Sequence, residues 1–252
     1  MEFIGGCSSY IGAVRDVNQD AVVYRSAGRG EKSFIVLAVC DGIGGLEHGE
    51  LASSMVNSEI DKWYDEVLGW IDIVTVEPAV LYAHLKDAAE NWNRTICDYK
   101  EKEHIATGTT MSLLMIIRDC YYIIQVGDSR IYLYSGGGLN QLTFDASVSR
   151  LKNGRMKTYL DNFMGKNREL RFTSVQGSIK EGDLFVVCSD GLYHRLLRED
   201  IENIYDALLE PKKVGGVCDN LINTMVERGE TDNISVGIVR VSGKKKRSFF
   251  KL

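Results

Sequence analysis

Apolar and polar residues in the first half of the chain follow the spacing of both helices and strands. Leu51, Met55 and Ile60 fall toward one side of a helix, and a longer apolar stripe follows Pro78, which stands where a missing backbone amide is least costly. A continuous apolar run before Asp41 is typical of a buried strand. The predicted elements are strands at residues 21–25 and 33–40 and helices at residues 47–64 and 80–102.

The second half is dominated by short runs of β-branched and aromatic residues. Turn residues such as Gly127-Asp128-Ser129 separate these runs, which predicts a β-meander. Residues 144–168 have a weak pattern and predict a loosely packed insertion. Strands and helices fall in separate groups rather than in alternating βα units, so we expect an α+β layered fold. The predicted strands are residues 111–118, 121–126, 130–134, 139–143, 184–188 and 233–241, and the predicted helices are residues 200–209 and 214–226.

Composition indicates an ordinary globular protein with one domain. The chain has 252 residues, of which 44% are hydrophobic and 26% charged, and its two prolines mark no linker. A formal charge of −5 argues against a nucleic-acid groove. The start of the chain lacks the pattern of a signal peptide, and the longest apolar runs fall far short of the roughly 18 residues of a membrane span. We therefore expect a soluble, cytoplasmic protein. We also expect it to be a monomer.

The cysteines and histidines do not suggest a zinc site. The six cysteines include no Cys-x-x-Cys pair, and the four histidines are equally dispersed. Reduced thiols packed as small hydrophobic residues are the expected state.

Three aspartates occupy similar places at the ends of strands. Asp41 follows an apolar strand and precedes Gly42, Asp190 follows another and precedes glycine, and Asp232 precedes the closing strand. Each alone fits a turn-forming role. Together they favour a site for a hard divalent cation, because Mg²⁺ and Mn²⁺ prefer oxygen ligands.

These aspartates belong to an ordered set of motifs that spans nearly the whole chain. The set resembles the metal-dependent protein Ser/Thr phosphatases (the PPM family, or type 2C phosphatases) in their bacterial form. The motifs, in chain order, are Arg15-Asp16-Val17-Asn18-Gln19-Asp20, Asp41-Gly42-Ile43-Gly44-Gly45, Gly49-Glu50-Leu51-Ala52-Ser53, Gly108-Thr109-Thr110, Gly127-Asp128-Ser129-Arg130, Leu142-Thr143, Ser189-Asp190-Gly191-Leu192 and Asp232-Asn233-Ile234-Ser235.

The resemblance implies a four-layer αββα sandwich, two antiparallel sheets flanked by helices, with a metal site at one end. It implies that Asp41, Asp190 and Asp232 are the carboxylate ligands of two Mg²⁺ or Mn²⁺ ions. Asp41 then bridges both ions, and the carbonyl of Gly42 ligates the second. Asp128, with Asp190, holds a third and weaker ion.

Further roles follow from the same resemblance. Arg15 grips the substrate phosphate, which suits the planar fork of a guanidinium group. Asp20 is an acidic residue near the site that orients water. Arg15 as a surface charge and Asp128 as a turn residue remain alternatives. Thr109 and Thr110 are interpreted as structural, and Arg130 as an anchor of its turn.

Several positions depart from the family pattern. Gln19 stands where many relatives carry glutamate, which predicts weaker binding of the second ion. Ile43 occupies the place of a histidine that eukaryotic members carry as a proposed general acid, and His48 is a weak candidate for that role. The segment after Leu142-Thr143 lacks the histidine that often follows this motif in the family.

Two segments leave substrate selection open. The segment up to about residue 168 resembles the mobile flap of bacterial members, and its basic residues either select acidic phosphopeptides or simply form a solvated loop, which we favour. Residues 243–252 form a basic tail beyond the single domain of residues 1–242. A disordered end is favoured over attachment to anionic lipid or an acidic partner. The flap's basic residues are Lys152, Arg155, Lys157, Lys166 and Arg168.

The sequence therefore predicts a Mg²⁺- or Mn²⁺-dependent phosphatase that hydrolyses phosphoserine and phosphothreonine in proteins with a metal-activated water. The resemblance implies that it opposes a Ser/Thr kinase. One alternative is a phosphatase-like domain that senses or scaffolds without turnover. Another is the same chemistry on a different phosphomonoester.

Overall fold

A computed structural model describes residues 1–28, 30–44, 46, 48–152, 155–209 and 214–243. Its helices are α1 (Gly49–Trp70), α2 (Pro78–Glu103), the single turn α3 (Asp190–Tyr193), α4 (Arg198–Ala207) and α5 (Val214–Glu227). Its strands are β1 (Glu2–Tyr10), β2 (Asp20–Ala27), β3 (Phe34–Asp41), β4 (Met111–Ile117), β5 (Cys120–Val126), β6 (Arg130–Ser135), β7 (Gly138–Gln141), β8 (Ser147–Lys152), β9 (Arg155–Leu160), β10 (Thr173–Ser178), β11 (Leu184–Cys188) and β12 (Ile234–Ser242).

The strands form two antiparallel sheets and a separate hairpin. One sheet has the order β1-β12-β11-β6-β7 and the other β10-β5-β4-β3-β2, while β8 pairs only with β9 among the described strands. The central strands are buried along their whole length, because each sheet is covered on both faces. This confirms the predicted αββα architecture.

Three hydrophobic layers hold the sandwich together. Helices α1 and α2 pack on one sheet around Phe34, Tyr64 and Leu85. Helices α4 and α5 pack on the other around Val186 and Met225. The middle layer lies between the two sheets. Since all three layers are continuous, the strand ends that carry the candidate residues rest on a packed frame.

The structure adds elements that the hydrophobic pattern did not predict. Strands β1 and β10 lie at sheet edges, and α3 follows β11. Residues 144–168, expected to be a loosely packed insertion, contain the β8–β9 hairpin. Both long helices extend beyond the predicted ends, and the basic tail from residue 244 lies outside the described residues. All six cysteines are free thiols.

Candidate active site

The predicted residues meet at one end of the sandwich. A pocket of about 140 Å³ opens there, and Leu160 from the β8–β9 hairpin forms part of its wall. Asp20 lies outside this lining. The other lining residues are Arg15, Gln19, Asp41, Gly42, Ile43, Gly44, Thr110, Asp128, Asp190, Asp232 and Asn233.

Strand pairing explains why residues so far apart in sequence converge. Asp41 ends β3 and is the register partner of Asp20 at the start of β2. Asp190 follows β11 and Asp232 precedes β12, which are antiparallel neighbours, so both fall at the same sheet end. Asp128 lies in the turn that crosses from β5 in one sheet to β6 in the other. Both sheets therefore contribute carboxylates to the pocket.

Two threonines hold the backbone of Asp41. The hydroxyl of Thr110 accepts a hydrogen bond from the Asp41 amide at 2.9 Å, and the hydroxyl of Thr109 donates to the Asp41 carbonyl at 2.9 Å. Thr110 also bonds Ser129 at 2.7 Å. These contacts agree with the structural role predicted for both threonines.

Asn233 fixes the loop that carries Arg15. Its side-chain amide donates to the carbonyls of Ile11 and Val17, at 2.6 and 3.1 Å, and its Oδ1 accepts from the Gln19 amide at 3.0 Å. Gly12 allows the close approach, because its φ is +85° and a Cβ there would lie 2.3 Å from the carbonyl oxygen of Asp232. The first and last motifs are thus joined directly.

Arg15 is the one cationic side chain among the described residues that line the pocket. Its Nη2 donates to Oδ2 of Asp232 at 2.7 Å, and its side chain is 44% exposed. This bond, with the charges of Asp232, Asp190 and Asp41, raises the pKa of Arg15. The guanidinium group therefore stays charged and open to solvent beside the aspartates.

Among the described residues, little positive charge balances the negative charge of the buried aspartates. Burial, followed by the charges of Asp20, Asp190, Asp128 and Asp232, raises the pKa of Asp41 well above its usual value. Burial raises the pKa of Asp20 to about 7 and that of Asp128 to about 6, with Asp190 adding to both. Burial also raises the pKa of Asp190. Within the part of the chain that the structure describes, the pocket therefore concentrates more negative charge than Arg15 balances.

This donor set suits a hard divalent cation. The carboxylates supply oxygen only, which is the chemistry that Mg²⁺ and Mn²⁺ select. Within the described residues no three His, Cys, Asp or Glu side chains are arranged to hold a metal ion as they stand. Asp232 shows one reason, since its Oδ2 accepts a hydrogen bond from Arg15 and its Oδ1 accepts one from the backbone amide of Asn233. The side chains therefore supply the oxygen donors that such a cation needs, while the Asp232 carboxylate is hydrogen-bonded to Arg15.

The departures from the family pattern have local explanations. Nε2 of Gln19 donates to Glu50 Oε2 at 3.2 Å, so the amide is bonded to α1. Nδ1 of His48 lies 3.5 Å from Glu50 and the residue is outside the pocket lining. Arg130 forms a two-point ion pair with Asp145, as expected for a residue that anchors its turn.

The basic flap residues divide into two groups. Arg168 pairs with Asp98 at 2.8 Å and Glu101 at 2.7 Å on α2, and Lys166 lies 3.6 Å from Asp161. The side chains of the other three, Lys152, Arg155 and Lys157, lie outside the described residues.

Sequence reasoning missed three residues that the structure places at the site. Asn233 and Ser189 lie inside recognised motifs but carried no assigned role, and the Ser189 hydroxyl donates to Asp20 at 2.8 Å. Leu160 gave no signal, because only the fold of the hairpin brings it to the pocket.

Comparisons with known proteins identify the family of the chain. The family model "Protein phosphatase 2C" matches residues 13–225. The serine/threonine phosphatase stp of Listeria welshimeri is 31% identical over 220 residues, which cover 81% of this chain and 83% of that protein. Protein phosphatase PhpP of Streptococcus pneumoniae is 27% identical and covers 92% of this chain and 95% of its own length. The structure resembles that of the PstP catalytic domain in complex with two manganese ions, with a TM-score of 0.71, 26% identity and coverage of 96% and 99%.

Proposed function

The chain belongs to the protein phosphatase 2C family, the metal-dependent serine/threonine phosphatases, and we propose that its carboxylate pocket is the catalytic centre that removes phosphate from phosphoserine and phosphothreonine. The observation that carries this assignment is the convergence of Asp41, Asp128, Asp190 and Asp232 around one exposed arginine.

The metal ligands proposed are oxygen donors at the pocket wall. Asp41, Asp190 and Asp232 would hold two ions with the Gly42 carbonyl, and Asp128 with Asp190 would hold a third, weaker ion. When bound, the ions activate water and offset charge on the phosphate. Mn²⁺ or Mg²⁺ is the proposed cofactor, since the donors are all oxygen.

Arg15 is proposed to bind the substrate phosphate. A phosphomonoester dianion is repelled by clustered carboxylates, and the exposed guanidinium group offers two parallel N–H donors to its oxygens. Because Arg15 also engages Asp232, substrate binding and the position of that carboxylate are linked.

Asp20 is proposed to act indirectly. It is buried behind Asp41 and accepts a hydrogen bond from Ser189, the residue before Asp190. Its charge and its hydrogen bond to Ser189 orient the neighbouring carboxylates and the water that they hold. Asp20 itself does not contact the phosphate.

We also propose a partner, a compartment and an oligomeric state. The substrates are phosphoproteins, and the enzyme would oppose a Ser/Thr kinase as a cytoplasmic monomer. Among the described helices, none is long and apolar enough to cross a membrane. The single domain is proposed to span residues 1–242, with the β8–β9 hairpin as its flap.

The test is hydrolysis of a phosphothreonine peptide with Mn²⁺, with EDTA, and by Asp190→Asn. We expect Mn²⁺-dependent turnover that EDTA abolishes and that the variant lacks. Asp183→Asn is the matched control, because Asp183 is a buried aspartate immediately before β11, at the opposite end of the strand from Asp190, and accepts a hydrogen bond from the Lys180 backbone amide at 2.7 Å. Mn²⁺ binding without turnover on any phosphoester would instead support a sensing or scaffolding domain. Turnover of small phosphomonoesters alone would indicate a different substrate.

A further inference from the structure

Arg130 lies two residues beyond Asp128, outside the pocket lining, yet makes one of the densest sets of contacts near the site. Its Nε and Nη2 donate to the two carboxylate oxygens of Asp145, at 3.0 and 2.6 Å. Its Nη1 donates to the Tyr132 hydroxyl at 3.0 Å. Its guanidinium carbon stacks 3.7 Å from the ring centre of Tyr193.

These contacts join three separate segments of the chain. Arg130 follows the turn that holds Asp128, Asp145 begins the approach to the β8–β9 hairpin, and Tyr193 ends the helical turn that starts at Asp190. The backbone reinforces this junction, because the Ala146 amide donates to the Gly127 carbonyl at 2.9 Å.

The same hairpin forms part of the pocket. Leu160 at the end of β9 lines it, and the register pairs Leu160 with Ser147, two residues after Asp145. Asp145 therefore lies at the base of the hairpin that supplies Leu160 to the pocket wall.

The chemistry of the Arg130–Asp145 ion pair favours a fixed geometry. Both side chains are about three-quarters buried, at 24% and 26% exposure, and the two-point geometry fixes direction as well as distance. Lysine in place of Arg130 keeps the charge but loses both the fork and the planar stacking surface.

We propose that the Arg130–Asp145 ion pair is a positioning clasp that sets the separation of Asp128 and Asp190 and anchors the β8–β9 hairpin, so that metal affinity depends on it. This inference rests on the proposed metal-dependent function. It predicts that loosening the clasp weakens metal binding, as loss of an outer partner typically does by about 10–100-fold.

The experiment measures Mn²⁺ binding to the purified full chain by titration calorimetry, with activity as a second readout. Arg130→Lys and Asp145→Asn are compared with Arg228→Lys. Arg228, which follows α5, makes the same kind of two-point pair with buried Asp200 of α4, at 2.5 and 2.8 Å, and neither residue lines the pocket. Arg228→Lys therefore controls for loss of an ion pair as such.

We expect the Mn²⁺ dissociation constant to rise about 10-fold in both clasp variants and to stay unchanged in Arg228→Lys. Circular dichroism and the melting temperature in EDTA establish that each variant is folded. An unchanged dissociation constant in folded Arg130→Lys and Asp145→Asn, or an equal rise in Arg228→Lys, overturns the clasp. Wild-type protein that binds Mn²⁺ without turnover overturns the proposed function alone, and binding still decides the clasp. Wild-type protein that binds no Mn²⁺ overturns both.

Discussion

Replacing Asp20 by asparagine should stabilise the metal-free protein, although Asp20 stands in one of the family motifs. The carboxylate is buried at the start of β2, opposite Asp41. Burial, with further contributions from Asp190 and Asp232, raises its pKa to about 7 from the usual 3.8, against the opposing effect of its bond to Ser189. Above pH 7 the folded protein therefore carries a charge at a cost that the unfolded chain does not bear.

The size of the effect follows from that shift. A difference of roughly three pKa units corresponds to about 4 kcal/mol at pH 8. Asparagine removes the charge and keeps an oxygen for the Ser189 hydroxyl, but it loses a charge-assisted bond worth about 1–2 kcal/mol. The net gain is then about 2–3 kcal/mol, or about 5–10 °C in melting temperature for a chain of this length.

The assay is calorimetric melting in EDTA across pH. Because the folded-state pKa is raised, the wild type loses stability as pH rises from about 4 through about 7. The advantage of Asp20→Asn should therefore be largest at pH 8 and disappear near pH 4. Asp200→Asn is the control of opposite sign, since buried Asp200 is paired with Arg228 and its loss should cost about 1–3 kcal/mol.

A lower melting temperature for Asp20→Asn than for wild type at pH 8, with Asp200→Asn destabilised as expected, would refute the reasoning. It would mean that the carboxylates are not an uncompensated electrostatic cost. The pocket would then have no electrostatic requirement for a cation.

Two further predictions concern the bound state. Mn²⁺ at 100 times its dissociation constant should stabilise the wild type by about 2.7 kcal/mol, or about 5–10 °C, by mass action. Asp41→Asn should show little of this shift by differential scanning fluorimetry, and an equal shift would contradict the ligand assignment. Arg15→Gln should raise KM for a phosphothreonine peptide about 10–100-fold with a smaller change in kcat, since a charged hydrogen bond to phosphate is lost. A fall in kcat at constant KM would show that Arg15 acts in the transition state alone.

The sequence predicts the elements whose own residues determine them. Strands β3, β4 and β11 are nearly continuous apolar runs, and the apolar faces of α1 and α2 are clear. Strand β1 was missed because Gly5, Gly6 and two serines give it no apolar pattern. It forms because β12 pairs with it along nine residues. Its stability comes from a partner more than 200 residues away, which a local pattern does not contain.

Edge strand β10 was missed for a related reason. Its burial alternates between half-buried and exposed, and Gly177 lies against the ring of Tyr121, where a Cβ would approach within 2.6 Å of the hydroxyl oxygen. A glycine that allows close packing against a neighbouring side chain also has a low β propensity. The sequence pattern of this strand is therefore weak.

The candidate site likewise contains residues that a local sequence pattern indicates and residues that it does not. Asp41 and Asp190 are visible locally, because each follows an apolar run and precedes glycine, whereas Asp232 is marked only by its place before the closing strand. The role of Asn233 is not visible locally, since its partners Ile11, Val17 and Gln19 come from the opposite end of the chain. Leu160 likewise reaches the pocket only through the hairpin that residues 147–160 form.

The residues around the aspartates explain how the fold tolerates this charge. Thr109 and Thr110 bond the backbone of Asp41, Asn233 bonds the loop beside Asp232, and Ser189 bonds Asp20. These contacts hold the backbone near Asp41 and Asp232 and the carboxylate of Asp20, and Arg15 is the one positive charge among the described lining residues. Neutral hydroxyl and amide groups hold position without lowering the attraction of the site for a cation, whereas additional lysines or arginines would compete with it. On the proposed assignment of the metal ligands, this negative charge is a cost of the metal-free state that contributes to the binding of a divalent cation, so the same side chains link stability and metal dependence.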